Sequence, residues 1–256
     1  MRSVDISLRV TDTLQAAHEL SISAVGAASH RARVAILNMA SPLRPGGGVL
    51  SGASSQEEWL CTRTTLYPSL REEFYRLPEV GGVYTPDVLV FRSWDSAASE
   101  LDKKDRFYVD VITAAMLRFP DIEGEGGEAG YAEQKDRDLV ISKMRAVLRI
   151  VRSKGVDKVV LGAWGCGAYG NPVREIARAW RRVLLGARSR RDPVVKRKGL
   201  IDEGWDGLEV VFAIKDSRMA EHFAKEFGDG IVVEQSRIPS ADESSIDGEE
   251  DGIECA

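Results

Sequence analysis

The sequence is poor in the residues that build metal sites and disulfide frameworks. Its 256 residues include three cysteines, Cys61, Cys166 and Cys255, and three histidines, and neither type shows the close spacing of a zinc site. An odd number of scattered cysteines is typical of a protein from a reducing compartment. The sequence therefore predicts no metal ion and no cofactor, and a location inside the cell, in the cytoplasm or the nucleus.

Long apolar runs are also missing. No run approaches the ~18 residues that a membrane-spanning helix needs, and residues 1–14 alternate and carry acids, unlike a secretory signal. Apolar residues make up 43% of the chain and charged residues 29%, which is ordinary for a globular protein with a full core. We expect one monomeric domain that does not associate with membranes.

The negative charge is distributed unevenly. The net charge is −5, but residues 238–256 contain seven acids and no base, so residues 1–237 carry a net charge of +2. The tail is poor in large apolar side chains and is predicted to be disordered. The sequence thus predicts a folded domain over 1–237 and an acidic tail over 238–256, with a flexible surface insertion rich in glycine and glutamate around 121–136.

Short apolar runs alternate with longer amphipathic ones along the domain. The runs of strand length and β-branched composition are Val34–Met39, Val88–Phe91, Phe107–Ile112, Lys158–Ala163 and Leu208–Ile214. Helical periodicity is found at Asp12–Leu20, Gln56–Leu66, Leu70–Leu77, Gln134–Val151, Val173–Leu185 and Arg218–Phe227. Strands that alternate with helices predict a three-layer α/β/α domain. The second and third strands follow each other without a helix, so we expect a mixed central sheet.

The segment from Asn38 to Leu60 combines a strand end, a glycine loop and a helix start. Gly46, Gly47 and Gly48 follow two prolines and precede a helix predicted to begin near residue 55. Exposed N–H groups of such a loop, beside a helix N-terminus, suit a phosphate or diphosphate. A tight turn without a ligand explains the glycines equally well when they are taken alone.

Gln56, Glu57 and Glu58 occupy the first turn of that helix. Ser55 and Glu58 have the spacing of a capping box, and acids in a first turn interact favourably with the helix dipole. Taken alone, the acids are explained by this structural role. Two carboxylates beside an anion-binding loop indicate a second interpretation, because a bound phosphate raises the pKa of a carboxyl group toward that of a general acid.

A second glycine loop follows the predicted strand at 158–163. It consists of Gly165, Cys166, Gly167, Ala168 and Tyr169. Ligands of open α/β sheets bind beyond the carboxyl ends of the strands, so both loops are expected to face one site and to share a diphosphate. For Cys166 and the neighbouring Trp164, packing in the core is the simpler interpretation, and no histidine is placed to make Cys166 a nucleophile.

The segment GGGVLSGASSQEE resembles the signature of the poly(ADP-ribose) glycohydrolase family, three glycines followed closely by Gln-Glu-Glu; seven residues separate the two parts here. Further similarity to the microbial-type branch is found in YTPDVLVFR (84–92) and LGAWGCGAYGNP (161–172). The similarity extends from about residue 4 to about residue 227 and implies a macrodomain-like fold. The shortened GAYGNP and the segment AAMLRFP (114–120) depart from the family's pattern.

The resemblance also implies roles for individual residues. Glu58 is expected to protonate the leaving ribose oxygen, while Glu57 hydrogen-bonds ribose hydroxyls. Tyr169 stands where the family usually has a phenylalanine that packs on a ribose, and Asn38 is expected near that ribose. Ser41 replaces an asparagine of ordinary macrodomains. The full set expected to bind the substrate is Asn38, Gly46, Gly47, Gly48, Gln56, Gly165, Cys166, Gly167, Ala168 and Tyr169.

The expected activity is therefore hydrolysis of the ribose–ribose O-glycosidic bonds of poly(ADP-ribose), mainly from the chain end, with release of ADP-ribose and with ADP-ribosylated proteins as partners. Two alternatives stay open: a non-catalytic ADP-ribose-binding macrodomain and an ADP-ribose-1″-phosphate phosphatase. The Glu57–Glu58 pair argues against both. Residues 174–198 hold ten bases and two acids, which would attract a polyanion but are also typical of a solvated helix face. No signature of a nucleic-acid-binding fold is present, so specific binding of nucleic acid is not expected.

Overall fold

The structure is a computed structural model that describes residues 4–23, 32–186 and 204–234. The strands are β1 (Asp5–Arg9), β2 (Val34–Met39), β3 (Val83–Val90), β4 (Phe107–Ala114), β5 (Ile122–Glu123), β6 (Gly130–Tyr131), β7 (Lys158–Leu161), β8 (Glu209–Ala213) and β9 (Val232–Glu234). Seven of them form one sheet in the order β3-β4-β2-β7-β8-β1-β9, while β5 and β6 form a separate hairpin.

The central sheet is mixed, as the sequence predicts. All its neighbouring strands run parallel except β3, which pairs antiparallel with β4. No helix separates β3 from β4 along the chain. The chain can therefore turn back from β3 directly into an antiparallel β4, whereas a parallel pair needs a longer crossover connection. The α-helices are α1 (Thr13–Ser23), α2 (Gln56–Arg63), α3 (Leu66–Ser69), α4 (Gln134–Ser153), α5 (Val173–Leu185) and α6 (Ser217–Phe227).

Helices cover both faces of the sheet and form two separate cores. On one face, α4, α5 and α6 pack against side chains such as Leu37 of β2 and Phe212 of β8. On the other face, α1, α2 and α3 pack against Ile36 and Val211, the immediate neighbours of those residues. Successive side chains of a strand point to opposite faces, so a continuous apolar run such as VAILNM serves both cores. The three-layer α/β/α prediction is confirmed.

The helix predicted at Leu70–Leu77 is wrong. Only a short 3₁₀ turn, Glu72–Phe74, forms there, and the backbone is extended at its flanks, Arg71 and Tyr75. A helix would have aligned Leu70, Phe74 and Leu77 on one face. Instead the two leucines are buried at separate places while Phe74 is 38% exposed. The strands β1 and β9 were not predicted, because both are short and β9 is exposed at the sheet edge.

The segment around 121–136 holds the β5–β6 hairpin. Tyr131 of this hairpin is buried, and its hydroxyl donates a hydrogen bond to Asn171 Oδ1 at 2.7 Å. The expected flexibility of the segment stays a prediction. The acidic tail at 238–256 and most of the basic loop after α5 lie outside the described residues. Among the described helices, none combines the length and the apolar character needed to cross a membrane.

Three neighbouring strands place the loops that matter for function. The order β4-β2-β7 is parallel throughout, so the carboxyl ends of these strands lie side by side at one edge of the sheet. The chain leaves them as three loops, at 115–121, 40–55 and 162–172. Both glycine loops therefore meet at the same edge, as expected for a ligand site in an α/β sheet.

Candidate active site

Gln56 fixes the start of α2 to the end of β2. Its side-chain amide accepts a hydrogen bond from the Met39 N–H at 2.9 Å and donates one to the Leu37 carbonyl at 2.8 Å. The second amide hydrogen reaches the Thr13 hydroxyl, with an N–O distance of 3.4 Å. The hydrogen-bonding capacity of Gln56 is thus largely used by the protein, and its part in the site is to hold the first turn of α2 at the sheet edge.

Glu57 points into the protein from this turn. The residue is only 2% exposed; its carboxylate accepts hydrogen bonds from the Ser41 N–H at 2.7 Å and from Asn38 Nδ2 at 3.4 Å. Burial raises the pKa of Glu57 from 4.5 to about 7, against the lowering effect of these donors, and the nearby Glu58 raises it further. Glu57 is therefore a carboxyl group that gains and loses its proton close to neutral pH.

Glu58 has a contrasting environment. Its carboxylate accepts hydrogen bonds from the Gly48 N–H at 2.7 Å and from the Ser55 N–H at 3.0 Å, and the Ser55 hydroxyl donates a third. Partial burial raises the pKa of Glu58, but these donors outweigh it and hold the pKa below its usual value. The capping interaction inferred from the sequence is present, while Glu58 also lines the cleft described below. The two interpretations of Glu58 are compatible.

The first glycine loop wraps around the two carboxylates. A Cβ atom on Gly47 would lie 2.4 Å from Glu58 Oε1 and 2.7 Å from Glu57 Oε2, so only glycine fits between them. The backbone φ angles, +63° at Gly46 and +56° at Gly47, also favour glycine at both positions. The Gly48 N–H donates to Glu58 and the Gly47 N–H to the Arg44 carbonyl. In this structure these N–H groups of the loop thus donate to the protein itself, whereas the sequence predicted that they would be free to bind an anion.

The second glycine loop has the opposite character. The N–H groups of Gly167, Ala168 and Tyr169 carry no hydrogen bond within the described part of the chain. Asn171 fixes the loop, since its Nδ2 donates to the carbonyls of Leu117 at 2.8 Å and Gly165 at 3.1 Å. Three successive N–H groups without a hydrogen bond, at the carboxyl edge of a sheet, are a candidate seat for an anion, and we call them the anion seat.

A cleft of about 1010 Å³ joins the two loops. Of the residues predicted to act on or bind the substrate, those that line it are Gly47, Gly48, Gln56, Glu57, Glu58, Gly165, Gly167, Ala168 and Tyr169. A second cavity of about 390 Å³ shares Gln56 and Gly167 with the cleft and extends it toward Asp12, Trp59 and Lys215.

Three predicted site residues do not line the cleft. Asn38 is completely buried behind Glu57, where it also donates to the Thr113 hydroxyl at 3.2 Å, and Gly46 is buried against the ring of Tyr67. Cys166 packs against the apolar core beneath α5, and burial raises the pKa of its thiol. A thiol with a raised pKa is a poor nucleophile, in agreement with the packing role inferred from the sequence.

Several residues of the cleft were not predicted. Ser41 contributes the N–H group that holds Glu57, and its hydroxyl lies beside that of Tyr169. Arg44 and Arg118 line the mouth of the cleft on two different loops. The position of Ser41, directly beyond β2, is the signal that would have found it. For Arg118 the available signal was the departure of AAMLRFP from the family pattern.

Comparisons with known proteins agree with this geometry. Residues 2–93, which include α2 and its glutamate pair, match the family model of the microbial-type PARG catalytic domain. Poly(ADP-ribose) glycohydrolase from Thermomonospora curvata, bound to the inhibitor ADP-HPD, is 29% identical with a TM-score of 0.63, over 88% of this chain and 79% of that one. The enzyme from Deinococcus radiodurans, in complex with ADP-ribose, is 25% identical with a TM-score of 0.63, over 88% of this chain and 84% of that one. No curated protein sequence matches. Residues 2–93 thus resemble the microbial-type PARG catalytic domain in sequence, and the fold of the chain is similar to that of bacterial poly(ADP-ribose) glycohydrolases.

Proposed function

We propose that the protein hydrolyses the ribose–ribose O-glycosidic bonds of poly(ADP-ribose) and releases ADP-ribose from the chain end. The observation that carries this proposal is the placement of two carboxyl groups with different pKa values beside an anion seat in one cleft. A ribose linked to a diphosphate is the substrate class that fits such an arrangement. The structural relatives crystallised with ADP-ribose and with ADP-HPD support the same ligand.

The terminal ADP-ribose unit would occupy the cleft from end to end. Its diphosphate would accept hydrogen bonds from the free N–H groups of Gly167, Ala168 and Tyr169. The adjoining cavity at Asp12 and Trp59 has the size and the mixed polar and apolar walls of a base pocket and would take the adenine. The distal ribose would then lie against Glu57, the buried member of the pair, whose pKa is raised to about 7.

Glu58 is the proposed proton donor. As the bond between C1″ and the bridging oxygen breaks, the Glu58 proton moves to that oxygen, which leaves as the 2′-hydroxyl of the next unit. A water molecule adds its hydroxide to C1″ and returns its own proton to Glu58, so atoms and charges balance. The diphosphate stabilises the positive charge that develops at C1″ and also raises the pKa of Glu58, which is low in the free protein.

One observation favours a different function. The Glu58 carboxylate is held by three donors in the free protein and acts as a helix cap, which is all that a non-catalytic ADP-ribose-binding domain would need. Such a domain would use the same anion seat and the same cavities. The two functions differ in one respect, because only hydrolysis requires a proton from this side chain.

Glu58→Gln separates the two functions. An amide cannot donate the proton, so we expect polymer digestion to slow by roughly 10²–10⁴, while ADP-ribose still binds because the anion seat is intact. The amide loses one of the three donors, at a cost of about 1 kcal/mol in unfolding free energy. Ser55→Ala is the matched control: it loses a capping hydroxyl at a cost of about 1 kcal/mol but keeps the carboxylate, and should retain most of the activity. Near wild-type digestion by Glu58→Gln would refute the catalytic role.

A further inference from the structure

An unusual group of side chains lies at the mouth of the cleft, next to the proposed scissile bond. The guanidinium of Arg118 is 5.5 Å from the ring centroids of both Phe119 and Tyr169, and these two rings are 6.3 Å apart, tilted by 59°. Arg118 and Tyr169 line the cleft, while Phe119 is 68% exposed. We call these three residues the rim platform. The exposed ring of Phe119 is therefore an aromatic surface that a ligand in the cleft could contact.

One residue of the rim platform has an unusual backbone conformation. Phe119 has a φ of +49°, in the left-handed region that a bulky residue rarely adopts. Its N–H donates to the Tyr169 carbonyl at 3.0 Å, which ties the 115–121 loop to the second glycine loop. Strain that is kept in place by neighbouring structure is concentrated at ligand-binding sites. Here it turns the Phe119 ring outward, beside Tyr169.

Two guanidinium groups, those of Arg118 and Arg44, line the mouth of the cleft. Neither Arg118 nor Arg44 forms an ion pair within the part of the chain that the structure describes. Both line the cleft, from different loops. The anion seat for the terminal diphosphate consists of backbone N–H groups and does not need them. Two unpaired guanidinium groups indicate a further anion at the mouth.

We propose that the rim platform binds the second ADP-ribose unit of the polymer, the unit that leaves when the bond is cut. This inference rests on the proposed function. The bridging oxygen beside Glu58 belongs to the adenosine of that second unit, so its adenine and its diphosphate must emerge where the cleft opens. Phe119 offers a ring on which the adenine stacks, and Arg118, together with Arg44 of the 40–55 loop, offers positive charge to the diphosphate.

The occupant is a nucleotide unit rather than the side chain of a modified protein. Adenine has a flat aromatic face and the unit carries two negative charges, which match one exposed ring and two unpaired arginines. A protein acceptor presents no such fixed combination. The rim platform thus gives the enzyme a preference for polymer over a single terminal ADP-ribose, without any change in how the terminal unit binds.

The test compares two ligands in a background that does not turn over. In the Glu58→Gln protein, the dissociation constants of ADP-ribose and of a two-unit ADP-ribose oligomer are measured by calorimetry, and their ratio reports the second unit alone. Phe119→Ala should weaken the oligomer by roughly 5- to 100-fold, the usual range for the loss of one base-stacking ring, and leave ADP-ribose within about twofold. Arg118→Gln should weaken the oligomer about tenfold at low salt, less at high salt. Phe119→Tyr keeps an aromatic ring, so its affinity for the oligomer should equal that of the Glu58→Gln protein.

Lys104→Gln is the control for loss of positive charge. Lys104 is exposed in the loop before β4, at the opposite edge of the sheet from the cleft, and its replacement should leave the ratio unchanged. The proposal is overturned if Phe119→Ala and Arg118→Gln leave the ratio unchanged, or if they weaken ADP-ribose and the oligomer equally. Failure of the wild-type protein to digest polymer would instead refute the proposed function, and the binding ratio would still decide whether the rim platform recognises a second unit.

Discussion

Replacing Glu57 by glutamine should stabilise the free protein at alkaline pH. The pKa of Glu57 is raised from 4.5 to about 7 in the folded state, mainly by burial. An acid whose folded pKa is raised binds more protons in the folded than in the unfolded state between those two values. Stability therefore falls as the pH rises from about 4.5 to about 7, and the full penalty remains above that range.

The size of this penalty follows from the pKa change. At about 1.36 kcal/mol for each pKa unit, the ionised form of Glu57 costs the folded state about 3 kcal/mol, as an order of magnitude. Most of this cost, roughly 2.5 kcal/mol, appears between pH 5 and pH 8. For a domain of this size, that corresponds to a change of roughly 5–10 °C in melting temperature.

The site can accommodate the amide. Glu57 now accepts hydrogen bonds from the Ser41 N–H and from Asn38 Nδ2. A half-turn of the Asn38 amide lets Asn38 Oδ1, which is now buried without a partner, accept a hydrogen bond from the new glutamine nitrogen, and leaves Asn38 Nδ2 at the unpartnered position instead. The glutamine oxygen keeps the Ser41 bond, and the Thr113 hydroxyl can donate to Asn38 Oδ1. The variant thus resembles the protonated form of the wild type.

Urea unfolding of both proteins at pH 5 and pH 8 measures the effect. The two should be of similar stability at pH 5, with the variant more stable by roughly 2.5 kcal/mol at pH 8. Groups that do not interact with Glu57 titrate equally in both proteins and cancel. Glu72→Gln, the same change at an exposed position, should follow the wild type at both pH values. A stability difference between wild type and Glu57→Gln that does not change with pH would show that Glu57 is not held in its protonated form.

Two further substitutions test the geometry of the cleft. Gly47→Ala places a Cβ 2.4 Å from Glu58 Oε1, at a residue with a positive φ. Because a carboxylate must then move, the rate of polymer digestion should fall at least 100-fold. The digestion rate and a melting curve check this prediction. Tyr169→Phe removes a hydroxyl that lies beside Ser41 but keeps the ring, so the digestion rate should change less than about fivefold. Tyr169→Ala also removes the ring and should lower the digestion rate much more. Similar losses of rate in both variants would contradict a role for the ring.

The sequence predicts the elements that carry the site better than it predicts their contacts. The bounds of β2 and α5 agree with the predicted segments, because each is one unbroken apolar or amphipathic run. The position of both glycine loops at one sheet edge follows from the alternation of strands and helices alone. A sequence pattern does not indicate the direction in which an individual backbone N–H group points. The first loop was expected to bind phosphate, yet its Gly48 N–H faces Glu58.

Residues that act through another residue are equally hidden in the sequence. Asn38 resembles a ligand-binding asparagine, but the structure buries it behind Glu57. Gln56 resembles a binding residue in the Gln-Glu-Glu signature, but its amide joins α2 to β2. Whether either contacts the substrate stays a prediction. The contacts of Arg118 and Phe119 with Tyr169 could not be predicted from the sequence, since they depend on how two separate loops pack.

The glutamate pair shows why two adjacent carboxyl groups can have different roles. Glu57 and Glu58 share one helical turn, but the pKa of Glu57 is raised by burial whereas that of Glu58 is lowered by three donors. In the free protein Glu57 therefore takes up a proton at a higher pH than Glu58 does, although both side chains line the same cleft. A bound diphosphate acts against that charge and draws a proton to Glu58. Environments that separate the pKa values of neighbouring acids are the usual way in which a site assigns an acid, and in the proposed mechanism the assignment is completed only when the substrate binds.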